Sequence, residues 1–179
     1  MNYPWYRIIP QTEPPRQGDI IRNCQVLQPP KKLEAHRQES IIVKEIDAII
    51  MTQSCDLGQN KVEIVLVSPL YPLKDFLEAL PQQQYSSLKS RRKVIDNLKK
   101  GFINGYHLLN KQADTVEDFL VVDFKNVYGI HYDFLLDLIN QPQPRVSLLP
   151  PYREHLSQAF ARYFMRVGLP LDIDTEGYI

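Results

Sequence analysis

The sequence predicts an α+β domain with a small antiparallel barrel or curled sheet, an inserted helical segment and a C-terminal amphipathic helix. Three observations lead there. Short β-branched runs fill the first half of the chain, two helical patterns interrupt them, and a strand followed by a long amphipathic stretch finishes it. That order lacks the strand–helix alternation of a doubly wound parallel sheet, so antiparallel pairing is favoured.

Each element follows from its residues. Residues 1–17 carry Pro4, Pro10, Pro14 and Pro15, whose fixed φ and missing N–H forbid regular structure. They read as an extended arm that straps Trp5, Tyr6, Ile8 and Ile9 onto the body. From Gly18 the run DIIRNCQVL is short, β-branched and closed by Pro29 and Pro30, which makes it the first strand. Lys31 to Glu39 is a polar loop. Ser40 to Thr52 holds the apolar bursts IIV and IDAIIM, and KVEIVLVSPL follows the turn formers Asp56, Gly58 and Asn60, so the pair is a hairpin of buried strands. Leu73 to Leu80 reads as a short helix closed by Pro81. Ser86 to Lys100 is a second, with Ser86 or Ser87 as N-cap and Gly101 at its end. FINGYHLL is a further short strand, FLVVDFKNV a longer one, and Tyr132 to Ile139 a helix that stops before Pro142. Leu156, Ala159, Phe160, Tyr163, Phe164 and Val167 recur at spacings of three and four, which lays an apolar stripe on a helix from Tyr152 to Val167, ended by Gly168 and Pro170.

Length and composition bound what such a chain does. Its 179 residues, 44% hydrophobic, suit a single domain, 1–179, divided into the arm (1–17), strands (18–71), a mostly helical insertion (72–118) and a strand plus C-terminal helix (119–179). The 21 basic residues cancel the 21 acidic ones, so attraction to nucleic acid must come from a local patch. The start MNYPWYRIIPQ lacks a signal-peptide layout, and no run approaches the roughly 18 apolar residues of a membrane span. A cytoplasmic protein without a membrane partner is the expectation. Cys24 and Cys55 form neither a disulfide framework nor a zinc pattern, and the four histidines show no local ligand pair, so no metal or other cofactor is expected.

Two constellations carry chemistry. The first is Thr52-Gln53-Ser54-Cys55-Asp56, a polar cluster where a buried strand runs out into a turn. Cys55 is its obvious nucleophile; the competing reading makes Cys55 a small buried side chain and Asp56 a turn former. The second is the helix SSLKSRRKVIDNLKKG, where Lys89, Arg91, Arg92, Lys93, Lys99 and Lys100 face a single acid, Asp96. Such a face suits phosphates, and nearby Tyr85, Phe102, Tyr106 and His107 suit base stacking. Against this stands a solvated helix whose line Leu88, Ile95 and Leu98 packs inward. Arg153, Glu154 and His155, in the first turn of the last helix, read as capping or solvating residues.

The order of QGDIIRNCQVL, AIIMTQSCDLGQNKVEIVLVSPL, FLVVDFKNVYGIHYDFL and RVSLLPPYREHLSQAFARYFMRVGLPL resembles the layout of the MazF/PemK-like toxins. The resemblance covers residues 17–28, 41–71 and 119–170 and treats Pro72 to Asp118 as an insertion. It implies a small SH3-like barrel, a homodimer and metal-independent cleavage of single-stranded RNA. The family's catalytic arginine and hydroxyl are not matched here: the loop QPPKKLEAHRQES lacks the Arg-Pro ending, and Ile64 stands at the hydroxyl position. An enzyme on this scaffold would draw its cation from Arg37, its base from His36, and a second polar group from Ser54 or Asp56.

The leading expectation is therefore a noncatalytic binding or regulatory domain that contacts RNA, DNA or a partner protein through the basic helix. A toxin-like endoribonuclease is the enzyme alternative. A structural interaction module, dimerising through Tyr163 or the aromatic arm, is the third.

Overall fold

Eight strands form one antiparallel sheet: β1 (Tyr6–Ile9), β2 (Asp19–Gln28), β3 (Ile42–Ile50), β4 (Ile64–Pro72), β5 (Tyr106–Leu109), β6 (Leu120–Asp123), β7 (Tyr128–His131) and β8 (Arg145–Leu148). Their spatial order is β1-β8-β2-β3-β4-β6-β5, with β7 also on β4. The helices are α1 (Ser54–Gly58), α2 (Leu73–Glu78), α3 (Leu88–Lys99), α4 (Tyr132–Ile139) and α5 (Tyr152–Phe164). This computed structural model describes residues 3–30, 32, 41–59, 61–81, 87–142 and 144–165. Among them β1 and β5, at the two ends of the order, do not pair with each other, so the sheet is open and not a closed barrel.

The pleat explains where the core lies. Alternate residues Ile20, Ile49, Leu70, Leu120 and Val122 face one side, where Leu156 of α5 and Phe124 meet them. Their neighbours Ile21, Ala48, Ile50, Val65 and Val67 face the other, against Leu57 of α1 and Leu135 and Ile139 of α4. Phe76 and Leu77 of α2 and Leu98 of α3 close over Val121 in a third cluster. Strands covered on both faces need no polar side, which is why IDAIIM and FLVVD read as nearly continuous apolar runs. Among the described residues no helix is long and apolar enough to cross a membrane.

Several expectations change. The N-terminal arm is not irregular: β1 pairs with β8 in register Tyr6↔Leu148 to Ile9↔Arg145, because Pro4 and Pro10 flank the paired residues and remove no donor between them. Gln112 clamps the arm, its side-chain oxygen accepting from the amides of Trp5 at 2.6 Å and Tyr6 at 3.1 Å. Trp5 stacks on Tyr152 of α5 at 3.7 Å between ring centroids. The turn expected at Asp56 is a helical turn, α1. FLVVDFKNV is not one strand. The Asp123 carboxylate accepts from the Lys125 amide and the Asn126 side chain, both at 2.8 Å, which turns the chain out after β6 before β7 resumes on the same edge of β4. The insertion 72–118 is helical in α2 and α3 but also supplies β5, which pairs with β6. Helix α5 spans Tyr152–Phe164, and Val167, Gly168 and Pro170 lie outside the described residues.

An ion pair is buried within the sheet. Asp19 of β2 is fully buried and Arg145 of β8 is 5% exposed, with Nε 3.3 Å from the Asp19 carboxylate. Arg145 Nη2 donates to the Glu13 carbonyl at 2.7 Å, and the Arg16 amide donates to Asp19 at 3.0 Å, so the pair ties β2, β8 and the arm together.

Candidate functional site

The expected catalytic groups fall only in part among the described residues. His36 and Arg37 lie outside them. Ser54, Cys55 and Asp56 start α1, where the Ser54 hydroxyl accepts from the Gln17 amide at 3.1 Å. Cys55 is exposed, not the buried side chain of the competing reading. Its Sγ faces the Gln53 side-chain oxygen at 3.6 Å and an Asp56 carboxylate oxygen at 3.7 Å, acceptors that give a thiolate no stabilisation. Cys24, buried in β2, has its thiol pushed up to about 11 by burial.

The basic helix is built as expected and differs in its facing. Ser87 caps α3: its hydroxyl accepts from the Ser90 amide at 3.1 Å while the Ser90 hydroxyl accepts from the Ser87 amide at 3.0 Å. Gly101, at φ +68°, ends the helix in the left-handed region. Lys89, Arg92, Lys93, Lys99 and Lys100 are exposed, whereas Arg91 is half-buried on the side that carries Val94, Ile95 and Leu98. Leu88 does not pack inward; it is 73% exposed, because the first turn runs past the edge of the cluster that Leu98 joins.

The C-terminal end of α3 opens onto a cleft of about 460 Å³, with β5 as its floor and α5 as its far wall. Lys99 comes from the last turn of α3 and Lys100 from its C-cap, His107 from β5, and His155 and Arg162 from α5. Among the described residues that line it there is no carboxylate. His107 is half-buried and lies nearly parallel to the Phe124 ring at 6.3 Å. Burial, then the charges of His155 and Arg162, push its imidazole down to about 4, so at neutral pH it is uncharged.

Aromatic groups frame the cleft. Phe124, 2% exposed, packs edge-on against Phe160 at 5.3 Å and fixes how α5 sits over β5. Lys125 lies over the Tyr106 ring, 4.5 Å from its centroid. Gly105, at φ +85°, lets this happen, since a Cβ there would stand 2.8 Å from the Lys125 side chain and 3.0 Å from Tyr163. Phe102, beside the rim, is 71% exposed. Tyr85 lies outside the described residues.

Chemically, an uncharged imidazole beside Lys99, Lys100 and Arg162, with no carboxylate among the described lining residues, suits oxyanions, and the exposed Phe102 ring beside it suits stacking. No protein-family model, curated protein or solved structure matches the chain. The site therefore has to be read from its own geometry. Sequence reasoning found Lys99, Lys100 and His107, took His155 for a capping or solvating residue, and did not single out Arg162. Their seven-residue spacing sets both on one flank of α5, beside the apolar stripe, and that spacing was the available signal. Among the described residues no three of His, Cys, Asp or Glu stand together as metal ligands do.

Proposed function

We propose that this chain is a nucleic-acid-binding domain that holds a single strand in the cleft between the end of α3, β5 and α5. The observation that carries the reading is that three separate elements turn cations and imidazoles into one cavity with no carboxylate among the described residues that line it, in a chain whose formal net charge is zero. Phosphates take Lys99, Lys100 and Arg162. Bases stack on exposed rings such as Phe102, and Lys89, Arg92 and Lys93 extend the basic track along α3. The resemblance to the MazF/PemK-like toxins belongs to this proposal in the order of elements alone, supported by the antiparallel run β2-β3-β4 and the closing helix, since the sheet among the described residues is open and not a barrel. Its chemistry is not part of the proposal.

The test is binding of the purified protein to labelled single-stranded RNA and DNA at two salt concentrations, with the strand run on a gel afterwards. Intact strand bound with steep salt dependence, and lost on replacing Lys99, Lys100 and Arg162 by Gln, supports the reading. Salt-independent binding, or binding untouched by those changes, sinks it. Cut RNA would transfer the argument to the endoribonuclease alternative.

A second reading, an interaction module, is favoured by a different surface. Leu27 and Val43 are cross-strand partners on the β2-β3 ribbon and are exposed together with Ile41 and Ile42. It is on this ribbon that a homodimer contact belongs, since Tyr6 is buried in the core and Trp5 is stacked on Tyr152. Light scattering of the wild type and of Val43→Lys decides it: a dimer that becomes a monomer supports this reading, and a wild-type monomer excludes self-association.

A further inference from the structure

On the opposite flank of α5 from His155 and Arg162 lies a second cavity, of about 500 Å³, lined by Arg7, Glu13, Arg16, Ser147 and Arg153. We propose that this cavity is an oxyanion seat for a phosphate group, independent of the cleft, in which the carboxylate of Glu13 is a built-in occupant. Three arginines reach it from three places: β1, the β1–β2 connection and the first turn of α5. Arg7 holds Glu13 in a two-pronged contact, Nη1 to Oε1 at 3.1 Å and Nη2 to Oε2 at 2.5 Å, the fork geometry that guanidinium groups offer to carboxylate and phosphate alike. Arg16 approaches the same carboxylate at 3.4 Å.

The arrangement has more cation than its own anion uses. The lining holds three guanidinium groups and one carboxylate, and of the three Arg153 is shared with Glu154, which it contacts at 3.1 Å outside the lining. The charge of Arg145 acts on Glu13 from behind the wall, and with Arg7 and Arg16 it helps hold that carboxyl below the usual range, the hydrogen bond from Arg7 being the largest cause. Arg7, Arg16, Glu13 and Arg153 are all partly exposed, so the seat opens to solvent and its occupant can exchange. A phosphate monoester or diester carries more acceptor oxygens than Glu13. It takes Arg16 and Arg153 and competes with Glu13 for Arg7.

The sources of that phosphate separate experimentally. Inorganic phosphate and a single-stranded oligonucleotide are each titrated into the full chain at constant ionic strength, followed by calorimetry and by ³¹P line broadening. The expected result is saturable phosphate binding that survives Gln at Lys99, Lys100 and Arg162, and falls at least roughly ten-fold on Arg16→Gln with Arg153→Gln. Glu13→Gln raises the affinity on the order of five-fold, because the competing charge is gone while the fork at Arg7 remains. If the oligonucleotide gains affinity from Glu13→Gln as well, the seat takes strand phosphates; if inorganic phosphate alone gains, it takes small phosphorylated ligands. No saturable phosphate binding in the wild type or in Glu13→Gln overturns the proposal, as does phosphate binding abolished by the cleft substitutions and indifferent to Arg16 and Arg153. Either result leaves the cleft reading standing on its own salt dependence.

Discussion

Replacing Arg145 by Met tests how much of the sheet depends on one ion pair. The substitution removes the cation 3.3 Å from a fully buried Asp19 and leaves the carboxylate facing an apolar side chain. It also removes the donor to the Glu13 carbonyl at 2.7 Å, which holds the arm against β8. Leaving one member of a buried pair uncompensated costs about 3–5 kcal/mol. In a chain of this length each kcal/mol lowers Tm by about 2–4 °C, so a fall of roughly 6–20 °C is expected by calorimetry. Burial already outweighs the pull of Ser147, Arg145 and the Arg16 amide and holds the Asp19 carboxyl above its ordinary value of 3.8. Loss of Arg145 raises it further. A raised carboxyl favours the fold in its protonated form, so the variant is relatively most stable in acid and loses stability as the pH rises through the folded-state pKa of Asp19. Adding Asp19→Asn removes the stranded charge and restores most of the loss. A deficit under about 1 kcal/mol at neutral pH, or a double variant no better than the single one, would refute this account.

Other outcomes follow from the same contacts. The fall of His107 from 6.5 to about 4 corresponds to roughly 3 kcal/mol at 1.36 kcal/mol per pH unit, and about half that after solvent screening at the cleft. That stability is present above pH 6.5 and is lost as the pH falls toward 4, so urea unfolding of His107→Gln should show a flatter pH dependence than the wild type. Removing Lys99, Lys100 and Arg162 together lowers the slope of log affinity against log salt for single strands by about 2, at about 0.7 per phosphate contact. Ser87→Ala removes the Ser87 hydroxyl half of the reciprocal cap on α3, leaves the Ser90 hydroxyl accepting from the residue-87 amide, and costs about 1 kcal/mol, read from the urea midpoint.

The sequence made most of the helices legible, because their signals are local. The Ser87 cap, Gly101 and the stops at Pro81 and Pro142 each act within a turn, and α2, α3 and α4 lie where those residues put them. The strands β2, β3 and β4 were equally clear, since each carries a buried β-branched or apolar stretch, IDAII in β3 and VLVSPL in β4 among them. What escaped was decided by partners far away in the chain. The residues of β8, RVSL, are four in number and bracketed by prolines, yet they join β1 to β2 in the sheet. Tyr6–Ile9 is a strand because β8 offers it an edge, which no feature of the arm announces. The same holds for the site. Lys99 and Lys100 stood out as a local excess of charge, while His155 and Arg162 gain meaning when Phe124 and Phe160 bring α5 to β5. Seen in isolation, His155 looked like a capping residue.

The break between β6 and β7 has a consequence for how such a cleft could diversify. Both strands keep their places on β4, so residues 124–127 form a loop whose length the sheet does not dictate. That loop carries Phe124, the post on which α5 leans, and Lys125, which covers Tyr106. An insertion or deletion there would shift one wall of the groove against the other while every ladder hydrogen bond stayed in register. The width of the groove can therefore drift through indels at one surface loop, without renegotiating the core that makes the domain fold.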